Sequence, residues 1–239
     1  GSPWFINFRI HYECLFIYYI FIFQMKKIAP SILSVDLLQL EDEVKCLDKN
    51  GADYIHIDIM DGHYVPNITF GPNIVESIRK ITSKILDVHL MIKPVKPYIQ
   101  NFINAGSDII SFHPEADINS IDIIDEIKNS NIKAGIAIHP DVKISEVSDL
   151  LQHINQVIVM TVVPGFGGQK FMNDQVKKIK ELFELRKNNN YTFDISVDGG
   201  INNETGNICK ENGVDILAVG SYLLSKDRKD YRHCIKQLR

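Results

Sequence analysis

The segment YIHIDIMDG at residues 54–62 decides the architecture. Isoleucine occupies positions 55, 57 and 59, His56, Asp58 and Met60 fill the positions between, and Asp61-Gly62 closes the run. Successive side chains of a β-strand point to opposite faces. The isoleucines therefore share one face, and the histidine, aspartate and methionine share the other. An ionisable group on a buried strand is costly unless it is paired or bound to a cation, so the second face carries chemistry as well as packing.

Seven further apolar runs flank this one: IAPSIL (28–33), ILDVHLMI (85–92), DIISFH (108–113), KAGIAIH (133–139), QVIVMTVV (156–163), FDISVDG (193–199) and DILAVG (215–220). Amphipathic segments separate them, such as 35–49, which ends at Asn50-Gly51, and 174–187, which ends in a triple asparagine. Strict strand–helix alternation argues for a parallel sheet with right-handed crossovers. Eight units in a chain of this length predict a closed (β/α)8 TIM barrel, an α/β fold, as a single domain over residues 25–239. An open doubly wound sheet is the other reading. It would carry a glycine fingerprint after its first strand, whereas Ser31-Ile32-Leu33-Ser34 follows here with no glycine.

Residues 1–24 read differently. Gly1-Ser2-Pro3 resembles an expression scar, and the apolar run 15–23 is short of the ~20 residues a membrane helix needs. Met25 is the expected natural start, with 1–24 an extension outside the fold, either a tag or a gene-model addition. Across all 239 residues, 26 basic side chains face 30 acidic ones, a net charge of −4, which excludes an electrostatic nucleic-acid binder. Four cysteines at 14, 46, 209 and 234 show no metal or redox spacing and are expected as free thiols in a reducing, cytoplasmic compartment.

The ionisable strand residues recur at one depth. His89 and Met91 repeat the pattern in the third run and Ser196 and Asp198 in the seventh, all at strand C-terminal ends, where a barrel builds its active site. A lone His-x-Asp is more often a hydrogen-bonded pair than half a metal site. Two histidines and two aspartates at one mouth favour a divalent-metal site of N2O2 type. His113 and His139 each precede a strand-ending proline and are expected on the rim with solvated imidazoles, and His153 in a helix-to-strand loop. None of the three is read as a ligand. Glycines cluster in three adjacent loops, PGFGGQKF (164–171), DGG (198–200) and Gly220-Ser221. Each could be a tight turn, but together they favour backbone N–H groups that hold an anion.

The motifs APSIL (29–33), HIDIMDGHYVPNITFG (56–71), DVHLMI (87–92), VMTVVPGFGGQKF (159–171) and VDGG (197–200) together closely resemble the ribulose-phosphate 3-epimerase family. The resemblance runs in order from Met25 to about Ser225. It implies a barrel that interconverts D-ribulose 5-phosphate and D-xylulose 5-phosphate with one divalent ion, zinc first, with iron, manganese or cobalt able to serve. It assigns His56, Asp58, His89 and Asp198 to the metal, and Asp58 and Asp198 also to acid–base catalysis. Ser31, His89 and Asp198 would touch substrate, Gly165, Phe166, Gly167, Gly168, Gly199, Gly200, Gly220 and Ser221 would bind it towards the phosphate, and Met60, Met91 and Met160 would wall the reacting carbons. Val163, the HPDV turn (139–142) and Tyr222 depart from the family pattern in loop detail.

Epimerisation next to a ketone needs a C–H proton removed from one face and another returned to the opposite face, with the enediolate charge stabilised by the ion. Two carboxylates suffice, and no NAD, FAD or PLP is expected. The expected partner is a small sugar phosphate, with no nucleic acid and no membrane, and the protein is expected as a homo-oligomer. A hexulose-phosphate 3-epimerase would share the quartet. A catalytically silent metal- or phosphate-binding barrel would have no need of a carboxylate on each side.

Overall fold

The computed structural model describes residues 25–239; the expectation for residues 1–24 falls outside the described residues. Eight parallel strands form one sheet: β1 (Lys27–Pro30), β2 (Tyr54–Met60), β3 (Ile85–Met91), β4 (Ile109–Phe112), β5 (Lys133–Ile138), β6 (Gln156–Met160), β7 (Asp194–Asp198) and β8 (Ile216–Val219). Neighbours run β1-β8-β7-β6-β5-β4-β3-β2. A parallel bridge between Ser31 and His56 brings β1 against β2 and closes the ring. Asp53 reinforces that seam, donating its N–H to Ile28 O at 2.9 Å while its carboxylate accepts Ile28 N–H at 2.8 Å. The architecture is a (β/α)8 barrel, as the alternation of runs predicts.

The α-helices among the described residues are α1 (Leu40–Lys49), α2 (Pro72–Arg79), α3 (Ile99–Asn104), α4 (Ser120–Asn129), α5 (Val176–Asn189), α6 (Asn203–Glu211), α7 (Ser221–Leu224) and α8 (Tyr231–Leu238). They are not one per unit. The β5–β6 crossover holds two single 3-10 turns, Ile144–Glu146 and Ser148–Leu150, in place of an α-helix. Ser145 and Ser148 with β-branched Val142, Ile144 and Val147 give that stretch poor helix propensity, yet Ile144, Val147 and Leu151 are still buried against the sheet.

Two cores follow from the period-two pattern. Ile55, Ile57 and Ile59 join Val44, Leu47, Val75 and Ile78 between sheet and helices. Inside the barrel, Ala29, Tyr54, Ile109 and Ile216 form an apolar plug at the strand N-terminal ends. Above the plug the interior turns polar: His56, Asp87, Ser111 and Ser196 are fully buried and Gln156 is nearly so. Ile57 lies between two proposed site residues but faces away from them. Ile57→Ala is therefore expected to cost about 2–5 kcal/mol of stability through a cavity under α1 and α2, read as a lower urea midpoint at unchanged denaturant slope.

Candidate active site

Strand register places the site residues. β2 pairs with β3 so that His56 stands opposite Asp87, Asp58 opposite His89 and Met60 opposite Met91, while Met160 on β6 stands opposite Asp198 on β7. The donor atoms of His56, Asp58, His89 and Asp198 all lie within 4.8 Å of one another, a grouping that could hold a metal ion. His56 Nε2 is 3.3 Å from Asp58 Oδ1 and 3.7 Å from Asp198 Oδ2, and His89 Nδ1 is 3.1 Å from Asp58 Oδ1 and 3.7 Å from Asp198 Oδ2.

These spacings fit a cation. A tetrahedral ion with bonds of ~2.0–2.1 Å holds its donors about 3.3–3.4 Å apart. Two carboxylates with two neutral imidazoles also supply the charge that balances a divalent ion. His56 Nε2 is buried with no hydrogen-bond partner, a polar atom that an ion would satisfy. Burial works against charge on all four groups, yet their mutual attraction wins. Asp58 and Asp87 hold His56 well above the ordinary histidine value, and Asp198 and Asp58 raise His89. The two imidazoles in turn hold Asp58 and Asp198 below the ordinary carboxylate range.

Each donor is fixed from behind. His56 Nδ1 contacts Asp87 Oδ2 at 2.8 Å, and the other oxygen of that carboxylate accepts from Gln156 Nε2 at 2.8 Å. Ser31 Oγ donates to Asp58 Oδ2 at 2.6 Å. The end of β7 is latched to β6 by Thr161, whose N–H donates to Asp198 O at 2.8 Å and whose hydroxyl donates to Gly199 O at 2.6 Å. Neither Asp87 nor Gln156 stands out as a site residue in the sequence. The signal for Asp87 was present, since it lies two residues before His89 on the same inward face. Its partner, however, is set by cross-strand register.

His113 corrects an expectation. It is not a solvated rim imidazole but fully buried, with its Nε2 2.9 Å from Nε2 of His89. β4 does end just before it, as Pro114 signals, but the Tyr64 ring from the loop after β2 covers it at 4.6 Å between centroids. Burial pushes its pKa down to about 4 against the pull of Glu115. His139 keeps partial exposure at the rim, and His153 lies in the turn before β6.

A cavity of about 360 Å³ opens above the quartet. Ser31, Asp58, Asp198, Met60, Met91 and Met160 line it, as do Gly165, Phe166, Gly167, Gly168, Gly199, Gly200, Gly220 and Ser221; His56 and His89 sit behind the carboxylates. Tyr222 also lines it, as do Ser34, Asn202 and Ser225, three residues whose types carry no signal at sequence level. The described lining has no lysine or arginine, so an anion here would meet backbone N–H groups and hydroxyls. Two glycines are also demanded by packing. A Cβ at Gly199 would come within 2.5 Å of Val162 Cγ2, and one at Gly200 within 2.6 Å of Phe171 N, both at positive φ. At Gly168, φ is +73° and the space is open.

No helix among the described residues is long and apolar enough to cross a membrane. Among solved structures, that of KGPDC from Streptococcus mutans is similar at a TM-score of 0.67 and 17% identity, covering 90% of this chain and 96% of that one; this likeness concerns the fold. A ribulose-phosphate 3-epimerase of Bacillus subtilis (strain 168) is 45% identical over 207 residues, 86% of this chain and 95% of that protein. One of Chlamydia muridarum is 42% identical over 204 residues, 84% and 89% respectively. The model of the Ribulose-phosphate 3 epimerase family matches residues 27–224, from the first strand through the last glycine loop, and by that match and those identities the chain belongs to this family.

Proposed function

We propose that the protein inverts C3 of a ketopentose phosphate, interconverting D-ribulose 5-phosphate and D-xylulose 5-phosphate, with Asp58 and Asp198 as the two proton carriers. The observation that carries this is the pair of carboxylates on β2 and β7, strands separated around the barrel by β1 and β8, meeting over one cavity beside two buried imidazoles. Carboxylates approaching from different strands can flank a planar intermediate, which is what inversion requires.

His56 Nε2, His89 Nδ1, one oxygen of Asp58 and one of Asp198 would hold the divalent ion, zinc first, with iron, manganese or cobalt able to serve. When bound, the ion supplies Lewis-acid stabilisation of the negative charge that develops on the substrate oxygens. The remaining work falls to the chain. Asp58 Oδ1 faces the imidazoles, which leaves Oδ2 to take the C3 proton. Ser31, donating to that oxygen at 2.6 Å, orients it and moderates its basicity. Asp198 turns Oδ2 to the imidazoles, which leaves Oδ1 to return a proton from the other side. Met60, Met91 and Met160, each 1–2% exposed, present a polarisable apolar wall that keeps water from the carbanion. The glycine loops after β6, β7 and β8 receive the phosphate.

Cys46, Cys209 and Cys234 are free thiols, which supports a cytoplasmic setting. A homo-oligomer is the assembly proposed for the protein. The activity is tested by following epimer formation from D-ribulose 5-phosphate and from a hexulose 6-phosphate by NMR. A preference for the pentulose is expected. A preference for the hexulose would move the reading to a hexulose-phosphate epimerase, and turnover of neither would overturn it.

The phosphate end gives a separate prediction. Gly168→Asp enters open space, and aspartate tolerates the left-handed backbone better than most residues. The new carboxylate would face the substrate dianion. KM is expected to rise about tenfold or more, roughly 1.4 kcal/mol, with metal content unchanged; an unaltered KM would place the phosphate elsewhere.

A further inference from the structure

The two imidazoles of the quartet turn different nitrogens to the carboxylates and lean on different chemistry. His56 presents Nε2 and rests its Nδ1 on the Asp87 carboxylate. His89 presents Nδ1, and its Nε2 meets another imidazole nitrogen, Nε2 of His113, at 2.9 Å. A contact between two ring nitrogens holds one proton, and which ring donates it decides what His89 can do.

A neutral imidazole that binds a cation through Nδ1 carries its proton on Nε2. His89 must then donate to His113, His113 must accept at Nε2, and the proton of a neutral His113 must sit on Nδ1. The surroundings suit that tautomer. His113 Nδ1 is buried without a hydrogen-bond partner and lies 3.4 Å from Glu115 Oε1. The same carboxylate oxygen accepts the Tyr64 hydroxyl at 2.7 Å. The tilted Tyr64 ring against His113 also leaves the imidazole little freedom to rotate or flip.

We propose that Tyr64, Glu115 and His113 form a positioning chain, reaching from the rim into the barrel, that fixes His89 as the Nε2–H tautomer and keeps its Nδ1 lone pair aimed at the ion. The chain rests on the metal reading given under Proposed function. It explains a buried histidine and a semi-buried glutamate that the epimerisation chemistry does not use. It also pairs the site's two histidines with two kinds of support, a carboxylate directly behind His56 and a carboxylate one imidazole removed behind His89.

Two measurements on the full chain test it. In long-range 1H–15N spectra of the zinc-loaded protein, His113 should carry its proton on Nδ1 and His89 on Nε2. In chelator competition, metal-free His113→Phe should bind zinc about 10- to 100-fold more weakly than the parent, the range for losing a group behind a ligand. Glu115→Leu should shift affinity in the same direction, and Glu115→Gln, which keeps an acceptor oxygen, should stay close to the parent. The tautomer measurement needs no variant, so a His113→Phe protein that fails to fold does not block the test. A proton on His113 Nε2, or parent-like affinity in both His113→Phe and Glu115→Leu, would overturn the positioning role while leaving the metal site standing. A parent that binds no zinc, iron, manganese or cobalt would overturn the metal reading itself, and this chain with it.

Discussion

Treatment with a strong chelator is expected to lower turnover by roughly three orders of magnitude or more, since Lewis-acid stabilisation supplies several kcal/mol and each 1.4 kcal/mol is about tenfold in rate. The loss should fall on chemistry and not on the fold. His56, Asp58, His89 and Asp198 sit on β2, β3 and β7, strands held by continuous parallel pairing, and their backing contacts to Asp87, Ser31 and His113 are made by protein groups alone. Circular dichroism of the chelated protein should therefore match that of the untreated protein. Adding back zinc, iron, manganese or cobalt should restore activity to different extents, because the ions share the donor set but differ in preferred geometry. Full turnover in protein shown free of metal by elemental analysis would contradict the assignment.

Much of this site is written in the sequence because barrel strands impose a strict periodicity. In the segment 54–62, the alternating part that precedes Asp61-Gly62 is β2 residue for residue, and 85–92 overshoots β3 by one. Alternation alone placed His56, Asp58, His89 and Asp198 inside the barrel, and their positions at strand ends put them at the same mouth. The run 156–163 overshoots β6 by three residues, for a reason the pattern cannot encode. Thr161, Val162 and Val163 keep β-branched character, but Thr161 spends its N–H and hydroxyl on the end of β7, which turns the chain into the glycine loop.

The parts that were not legible depend on partners distant in sequence. His113 looks solvated from its neighbours, and it is buried because Tyr64, about 50 residues earlier, folds over it. Asp87 reads as one more polar strand residue until register sets it opposite His56, and Gln156 until the barrel brings it across to Asp87. The β5–β6 crossover defeats a count of helices for a different reason: 3-10 turns bury the same few apolar side chains that a helix would.

Replacing either proposed proton carrier should have the second large effect. Asp58→Asn and Asp198→Asn each leave a side-chain oxygen able to face the imidazoles while removing one acid–base group, a change that typically costs ~10² to 10⁴ in rate. The deficit is expected mainly in kcat, with KM altered much less. With its one oxygen turned to the imidazoles, Asn at 58 presents its NH2 to Ser31, whose hydroxyl oxygen can accept that hydrogen bond, so the local geometry should persist. Because both residues are also proposed ligands, metal content has to be matched before the rates are compared.

The most direct test of the two-carboxylate account is exchange of the C3 proton with solvent deuterium in the metal-loaded Asn variants, followed separately for each epimer. With Asp58 and Asp198 on opposite sides of the intermediate, Asp198→Asn should exchange only the epimer whose proton faces Asp58, Asp58→Asn only the other, and neither should form product at more than a small fraction of the parent rate. Epimerisation at near-parental rate by either variant, or exchange of neither epimer by both, would contradict it.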